Sequence, residues 1–322
     1  MRIPIRIVLG ADDAYALPAA VTIRSLLDSY RSNEELEIYV LDGGMTAESR
    51  RLVLESCNGL PTFLQADRNE DVPESHLTPI SRAMFLRLQI PALLPQADRA
   101  IYIDSDLLVL DDIAKLWAMP LRDGSPLGAV LSMLTPRGHT SLANKGFGES
   151  SLNFNSGVLL MDLARLRPNI GRVMDVVREG GLFLEDQDAL NLVYEDQWTP
   201  LPPRWNYQVH AQFAVFGHRS AVWNVGDFFT DEEVIDMLER PAIVHFTSPL
   251  KPWHLDAARV AYAERWREIA ARTAFADQVG AYAERETIRR VTWAVKRELA
   301  ALGPNVDPTV ATELVARARR TT

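Results

Sequence analysis

The chain has 322 residues, 47% of them hydrophobic, and a formal net charge of −9. This suits one large α/β domain with an appendage, or two small domains, and excludes a wholly disordered chain. The acidic balance also disfavours nucleic acid as a partner, because the chain has no long-range attraction for a polyanion.

The N-terminal residues Met1 to Arg6 lead straight into a strand-like segment. There is no signal-peptide pattern and no apolar run long enough to span a bilayer, so the expected location is the cytoplasm, with peripheral attachment to the inner membrane face left open. Ile3 to Leu9 reads as a buried strand ending at Gly10, and Ala16 to Leu27 has helical apolar spacing. Leu36 to Leu41 is a second strand, stopped by Asp42-Gly43-Gly44, and Thr46 is the expected N-cap of a helix through Leu54. The one cysteine, Cys57, has no partner for a disulfide or a zinc knuckle and reads as a small buried apolar residue. Pro61 to Leu64 is strand-like, Pro79 to Leu88 helical, and Ala100 to Ile103 an apolar strand. This alternation implies a parallel sheet with helices on both faces. Strands are expected at Leu127 to Met133, Gly157 to Leu163 and Ala242 to Phe246, and helices at Gly171 to Arg178 and Asp186 to Val193. Pro136 to Glu149, with Gly138, Gly146 and Gly148, reads as a loop able to close over a ligand. After residue 258 only helical spacing remains, so the expected division is 1–257 for the main domain and 258–322 for a helical appendage.

Ile101-Tyr102-Ile103-Asp104-Ser105-Asp106 carries the strongest chemical signal. An apolar strand ends in two acids one residue apart, and the alternation of an extended chain puts both on one side. Two such carboxylates repel each other unless a cation lies between them, and hard oxygen ligands favour Mg²⁺ or Mn²⁺. The bland alternative is a polar strand end with solvated acids. His245, after Ile243-Val244, ends another apolar strand. An imidazole joined to the two carboxylates shifts the preference toward Mn²⁺; as a lone residue it would more often be structural. Lys251 is a point charge suited to phosphate. Gly10-Ala11-Asp12-Asp13 lets a ligand approach the backbone and offers Asp12 to a nucleobase or ribose, although it also fits a plain acidic cap and is no dinucleotide fingerprint. Phe154-Asn155-Ser156-Gly157 precedes a strand. Asp186-Gln187-Asp188 opens a helix, where acids are expected from the macrodipole alone.

In this order the segments resemble glycosyltransferase family 8, over roughly residues 3 to 258. The linked set is Gly10-Ala11-Asp12-Asp13-Ala14-Tyr15, Arg87 with Leu88, Tyr102 to Asp106, Phe154 to Val158, Asp186 to Asn191, and His245 with Lys251-Pro252-Trp253. The similarity is greatest to bacterial galactosyl- and glucosyltransferases of cell-surface oligosaccharides. The resemblance implies a GT-A fold, a Rossmann-like mixed sheet flanked by helices. It further implies a UDP-hexose donor, Mn²⁺ with Mg²⁺ as the alternative, retention of anomeric configuration, and a glycan, glycolipid or glycoprotein acceptor. Asp104, Asp106 and His245 match the metal ligands. Gly10 and Asp12 match the uridine positions, and Ala11, Tyr15, Ser105 and Ser248 join the donor-binding set. Lys251 matches the diphosphate contact, and Arg87, Asn155, Asp186 and Gln187 the lining of the donor sugar. The chain departs from relatives at Ala14, Ser132 and Ser248, where an Asn, an acid and a Gly are found.

Gln187 matches the position nearest the reacting face, and an amide is a poor nucleophile. Front-face attack by the acceptor hydroxyl is therefore expected, with Asp188 as the alternative nucleophile. Two other functions fit parts of the pattern: a metal-dependent nucleotidyltransferase and a non-catalytic nucleotide-sugar-binding protein. The first would want a basic, glycine-rich first turn and the second would tolerate loss of an acid; neither holds here. Residues 285–322 carry eight basic and four acidic residues, a net of +4. Ile288, Val291, Val295 and Leu299 form one helical stripe beside them, with Trp293 nearby. That stripe would either meet anionic lipid or pack on the main domain or a second subunit. Gly303-Pro304 is expected to end the helix.

Overall fold

A computed structural model describes residues 3–67, 82–209 and 227–302. The strands are β1 (Ile5–Ala11), β2 (Leu36–Asp42), β3 (Pro61–Gln65), β4 (Arg99–Ile103), β5 (Leu107–Val109), β6 (Leu127–Leu131), β7 (Phe154–Asp162), β8 (Thr199–Pro200), β9 (Tyr207–Gln208) and β10 (Ile243–His245). The longer helices are α1 (Ala16–Ser29), α2 (Ala47–Ser56), α3 (Ile170–Glu179), α4 (Glu185–Val193), α5 (Asp231–Glu239), α6 (Ala263–Ala270) and α7 (Val279–Leu302).

Among the described residues, seven strands form one sheet in the order β3-β2-β1-β4-β7-β6-β8, and β5-β10-β9 form a second. The first half behaves as its alternating sequence requires: β1 to β4 pair in parallel, and Thr46 caps α2 by accepting from the Ser49 N–H. The sheet is not parallel throughout. β7 runs antiparallel to both β4 and β6, so the sheet is mixed. The reason lies in chain direction, which an apolar run does not encode: the connection after β6 returns the chain beside β4 instead of crossing over. β7 also begins at Phe154, so Asn155, Ser156 and Gly157 lie inside a strand and not before one. Strand β10 belongs to the small sheet, antiparallel to β5, a three-residue strand too short for a sequence signal. Residues Arg82–Gln89 are a 3₁₀ helix followed by one α turn at Ile90–Leu93, where an α-helix was expected from Pro79; residues 79–81 lie outside the described residues. The 136–149 segment is not a plain loop, since it contains a helix at Thr140–Asn144 with Leu142 and Phe147 buried.

Helix α1 is apolar nearly all round, with Leu17, Ala20, Val21 and Ile23 at most 2% exposed, as befits a helix covered on several sides. It packs on β5, α2 and α6. Two hydroxyls on α1 extend its hold on β5: the Leu107 N–H donates to Thr22 Oγ1 (3.2 Å) and the Val109 N–H to Ser25 Oγ (2.9 Å). The C-terminal helices join this same core. Trp266, Ile269, Phe275 and Tyr282 share one hydrophobic cluster with β1, α1 and β10. Tyr282 Oη donates to the Ala14 carbonyl at 2.8 Å, and Arg290 pairs with Asp256. Cys57 is buried, with its thiol pushed up to about 12 by burial, which leaves it an inert packing group. Among the described residues no helix is long and apolar enough to cross a membrane.

Burial of Trp266, Ile269, Phe275 and Tyr282 is worth about 1.5–3 kcal/mol per side chain, so together they match the whole stability of an ordinary domain. A chain ending at Ala257 is therefore expected to lose cooperative thermal unfolding. A calorimetric transition unchanged from that of the full chain would show the helices to be a separable appendage.

Candidate active site

Three residues carry the chain from one sheet to the other. Asp104 follows β4, Asp106 precedes β5, and Ser105 lies between. The Asp104 N–H donates to the Gly157 carbonyl at 2.8 Å, extending the β4–β7 ladder, while the Phe246 N–H donates to the Asp106 carbonyl at 3.1 Å, extending β10–β5. Ser105 Oγ donates to the Gly10 carbonyl at 2.5 Å. The two acids are thus fixed by different sheets, with the end of β1 tied in between.

Each carboxylate is divided between two tasks. Asp104 Oδ1 receives the Tyr102 hydroxyl at 2.7 Å and Arg87 Nη2 at 3.0 Å, and its Oδ2 faces His245 Nε2 at 3.5 Å. Asp106 Oδ2 receives Lys251 Nζ at 2.7 Å, and its Oδ1 faces His245 Nε2 at 3.4 Å. Burial alone would raise the Asp106 carboxyl, but Lys251 and His245 outweigh it and hold it well below the usual range. The ligating atoms of Asp104, Asp106 and His245 lie within 4.8 Å of one another. Atoms bound about 2.1 Å from one ion at about 90–110° would stand about 3.0–3.4 Å apart, close to the 3.5 and 3.4 Å between His245 Nε2 and the two carboxylates. Two oxygens and one imidazole nitrogen suit Mn²⁺, with Mg²⁺ served less well by the nitrogen.

His245 is 3% exposed, and its ring comes close to Gly157 of β7. A Cβ on Gly157 would fall 2.2 Å from His245 Cε1 and 2.7 Å from Asp104 Oδ2, so only glycine leaves room for both side chains. Asn206, fully buried, meets His245 Nδ1 at 2.9 Å and donates through Nδ2 to Asn155 Oδ1 at 2.8 Å. Asn155 Nδ2 in turn donates to Gln187 Oε1 at 3.1 Å. Gln187 Nε2 is buried and has no hydrogen-bond partner. A buried orphan donor costs on the order of 1–3 kcal/mol.

Arg87 joins this wall to the acids. Its Nη1 donates to the Ser156 carbonyl at 2.7 Å, its Nε lies 2.7 Å from Asp186 Oδ2, and its guanidinium stacks over Tyr102 at 4.6 Å. Burial would lower the Arg87 pKa, yet Asp104 and Asp186 raise it, so the charge is secure. Burial pushes the Asp186 carboxyl up to about 7 despite Arg87 beside it, because Asp104 and Glu185 share the neighbourhood. Asp186 is not the N-cap of α4; Leu184 holds that position. Asp188 is fully buried and turned elsewhere, receiving the Leu184 N–H at 2.7 Å on Oδ2 and meeting His139 Nε2 at 3.0 Å through Oδ1.

On the opposite side, Asp12 caps a 3₁₀ turn at Asp13–Tyr15 by accepting from the Tyr15 N–H, and Gly10 and Ala11 end β1. Tyr15 stacks edge-on against Trp253 at 5.9 Å. Lys251 Nζ also donates to the Phe246 carbonyl at 2.5 Å, and the Lys251 N–H donates to His254 Nδ1 at 3.0 Å. Ser248 is spent on its own turn, donating to the Leu250 carbonyl and accepting its N–H. Ser132 lies beside Thr135, whose N–H donates to Ser132 Oγ at 3.3 Å. The structure therefore gathers Arg87, Asp104, Asp106, Asn155, Asp186, Gln187, His245 and Lys251 into one polar network, with Gly10 tied to it through Ser105. Asn206, His139 and Tyr102 have site contacts that the sequence reading did not assign. Only Tyr102 had a local signal, since alternation along β4 puts it on the same face as Asp104.

Two outcomes follow from this geometry. Gly157→Ala is expected to weaken Mn²⁺ binding at least about tenfold, the scale of a disturbed ligand shell, while Tm stays within a few degrees. Calorimetric titration checks it, and unchanged affinity would mean that the backbone yields. Burial depresses His254 to about 3, with Arg290 and Lys251 adding to the effect. The unfolded chain takes up that proton near pH 6.5 and the folded chain does not, so this stabilisation is present above pH 6.5 and is lost as pH falls below it. His254→Asn keeps an acceptor for the Lys251 N–H without titrating. Its Tm is expected to fall less than that of the unsubstituted protein between pH 7 and 5.

Comparisons with known proteins bear on the family and the fold. The family model for "Glycosyl transferase family 8" matches residues 6–257. General stress protein A of Bacillus subtilis (strain 168) is 33% identical over 262 residues, spanning 77% of this chain and 87% of that protein. Glycosyltransferase GlyF of Streptococcus pneumoniae serotype 4 is 28% identical over 259 residues, 77% of this chain but 57% of its own length. Among solved structures, galactosyltransferase LgtC in complex with donor and acceptor sugar analogues superposes with a TM-score of 0.68 at 26% identity, covering 84% of this chain and 96% of that one. With the family model matched over most of its length and its mixed sheet shared with LgtC, this chain belongs to glycosyl transferase family 8 and has the GT-A fold.

Proposed function

We propose that the protein is a retaining, metal-dependent hexosyltransferase that moves glucose or galactose from a UDP-hexose to a hydroxyl of a glycan, glycolipid or glycoprotein acceptor. The observation that carries this reading is the convergence of Asp104 Oδ2, Asp106 Oδ1 and His245 Nε2 beside the Lys251 ammonium. A bound Mn²⁺ supplies a Lewis acid against the charge that grows on the leaving diphosphate. Lys251 adds a mobile point charge, held on Asp106 until phosphate oxygens compete for it. Asp12 and the end of β1 receive the uridine. Arg87, Asp186 and Asn155 bind and orient the sugar hydroxyls, and the unpaired Gln187 amide donor faces the same ligand.

The acceptor oxygen forms a bond to the anomeric carbon as the bond to UDP breaks, and its proton passes to the departing phosphate oxygen. Gln187 is a poor nucleophile, and both oxygens of Asp188 are engaged by His139 and the Leu184 amide. That favours attack from the leaving-group face over a covalent intermediate. The 136–149 segment closes over the donor and excludes water. In the cytoplasm, the basic residues of 285–322 meet the inner leaflet. In support, Ile288 is 65% exposed, and Arg285 and Arg289 beside it are also exposed; the side chains of Val291, Trp293, Val295 and Leu299, and the Gly303-Pro304 break, lie outside the described residues.

UDP release from UDP-glucose and UDP-galactose, with nucleoside triphosphates as controls, tests the proposal. Asp106→Asn is expected to lower turnover by orders of magnitude with the fold intact. Lys251→Ala should lower kcat more than it raises KM, because the charge it meets is greatest in the transition state. Full activity in chelator, or pyrophosphate release from a triphosphate, would overturn the reading.

A further inference from the structure

The amide of Asn206 stands behind the imidazole of His245, and the direction of every hydrogen bond around it can be deduced from two backbone groups. A backbone N–H can only donate. The Gly157 N–H donates to Asn155 Oδ1 at 3.0 Å, and the Ser156 N–H to Gln187 Oε1 at 3.2 Å. These contacts fix which end of each amide is oxygen. Asn155 Nδ2 must then face Gln187 Oε1, and the group meeting Asn155 Oδ1 must be a donor, which makes it Asn206 Nδ2. The remaining end of Asn206 is its carbonyl oxygen, 2.9 Å from His245 Nδ1. An oxygen there demands a proton on Nδ1, so the lone pair of the neutral ring lies on Nε2.

Nε2 faces Asp104 Oδ2 and Asp106 Oδ1 at 3.5 and 3.4 Å. A lone pair facing two carboxylate oxygens is unfavourable unless a proton or a metal cation lies among them, and a divalent cation can take the place of that proton. Asn206 is buried, contributes no ligand atom to the three-residue cluster, and lies 39 positions from His245 in sequence.

We propose that Asn206 is a positioning residue that presets the tautomer of His245, and that the relay Gln187–Asn155–Asn206–His245, directed by the Ser156 and Gly157 amides of β7, keeps Nε2 ready for a divalent cation before any cation arrives. The inference rests on the metal-site reading given above. Such outer partners orient ligating histidines and set their basicity. The relay also links Gln187, on the sugar side, to the metal side through β7. A displaced Asn155 would disturb both.

Imidazole ¹⁵N NMR of the full-length, metal-free protein, at a pH where the ring is neutral, tests the preset state directly. The His245 signals are identified by their absence in His245→Gln. The expected pattern is a protonated Nδ1 and a pyridine-like Nε2; a protonated Nε2 would overturn the proposal with no variant needed. Mn²⁺ titration followed by electron paramagnetic resonance supplies the second readout. Asn206→Leu should weaken Mn²⁺ binding by about 10- to 100-fold and let the Nε2–H tautomer appear. Asn206→Asp, which still accepts from Nδ1–H, should keep the tautomer and bind Mn²⁺ more tightly than Asn206→Leu. Equal affinity in Asn206→Leu and the unsubstituted protein would also overturn the proposal. If the unsubstituted protein binds no Mn²⁺, the metal-site reading fails, and the NMR pattern alone still decides whether Asn206 sets the tautomer.

Discussion

The short crossing from β4 to β5 is the constraint on which the rest of the site depends. Asp104, Ser105 and Asp106 leave one sheet and enter another within three residues, and each is held by a different part of the fold. Gly157 on β7 receives the Asp104 amide, Phe246 after β10 donates to the Asp106 carbonyl, and Gly10 at the end of β1 receives the Ser105 hydroxyl. Two acids one residue apart on a free chain would rotate away from each other. Here backbone pairing holds both carboxylates close to one imidazole, and the fold supplies the work of keeping like charges near.

That arrangement is tolerable because each acid has its own protein cation. Arg87 sits on Asp104 and Asp186, and Lys251 sits on Asp106. A buried charge without a partner is costly, so these pairs are conditions of the site more than sources of stability. They also divide each carboxylate into an oxygen held by protein and an oxygen turned toward the common point. The two cations differ in kind. Arg87 is buried and locked by β7, Met84 and the Tyr102 ring, whereas Lys251 is a single point charge on a flexible stem. A fixed cation suits a permanent wall of the site. A movable one can exchange its partners.

The C-terminal helices bear on the turn after β1 through packing. Trp253 touches Tyr15, Trp266 and Tyr282, and Tyr282 donates to the Ala14 carbonyl. The turn that carries Asp12 therefore leans on residues beyond 258. His254, kept neutral by burial, accepts the Lys251 amide and so sets where that lysine's chain begins. Stability of the last helices and placement of the Asp12 turn are coupled by these contacts.

The local sequence by itself determined the first βα units, the cap at Thr46, the helical character between 258 and 302, and the acid pair Asp104 and Asp106 at a strand end, with His245 ending another strand. These are written in short-range patterns: alternation, a β-branched run, a cap residue, and an acid pair at a strand end. The motif order was legible too, and with it the family. Tertiary structure alone decided the direction of β7, the second sheet that receives β5 and β10, and the helix inside 136–149. It also decided which way the acids turn, so that Asp186 meets Arg87 while Asp188 turns to His139. Asn206 and the room made by Gly157 belong to the same class. Asn206 lies 39 residues from the ring it meets, and nothing in Pro203-Arg204-Trp205-Asn206 announces a histidine partner. Such contacts depend on strand register and direction, which are settled by long-range pairing between segments whose local patterns are alike.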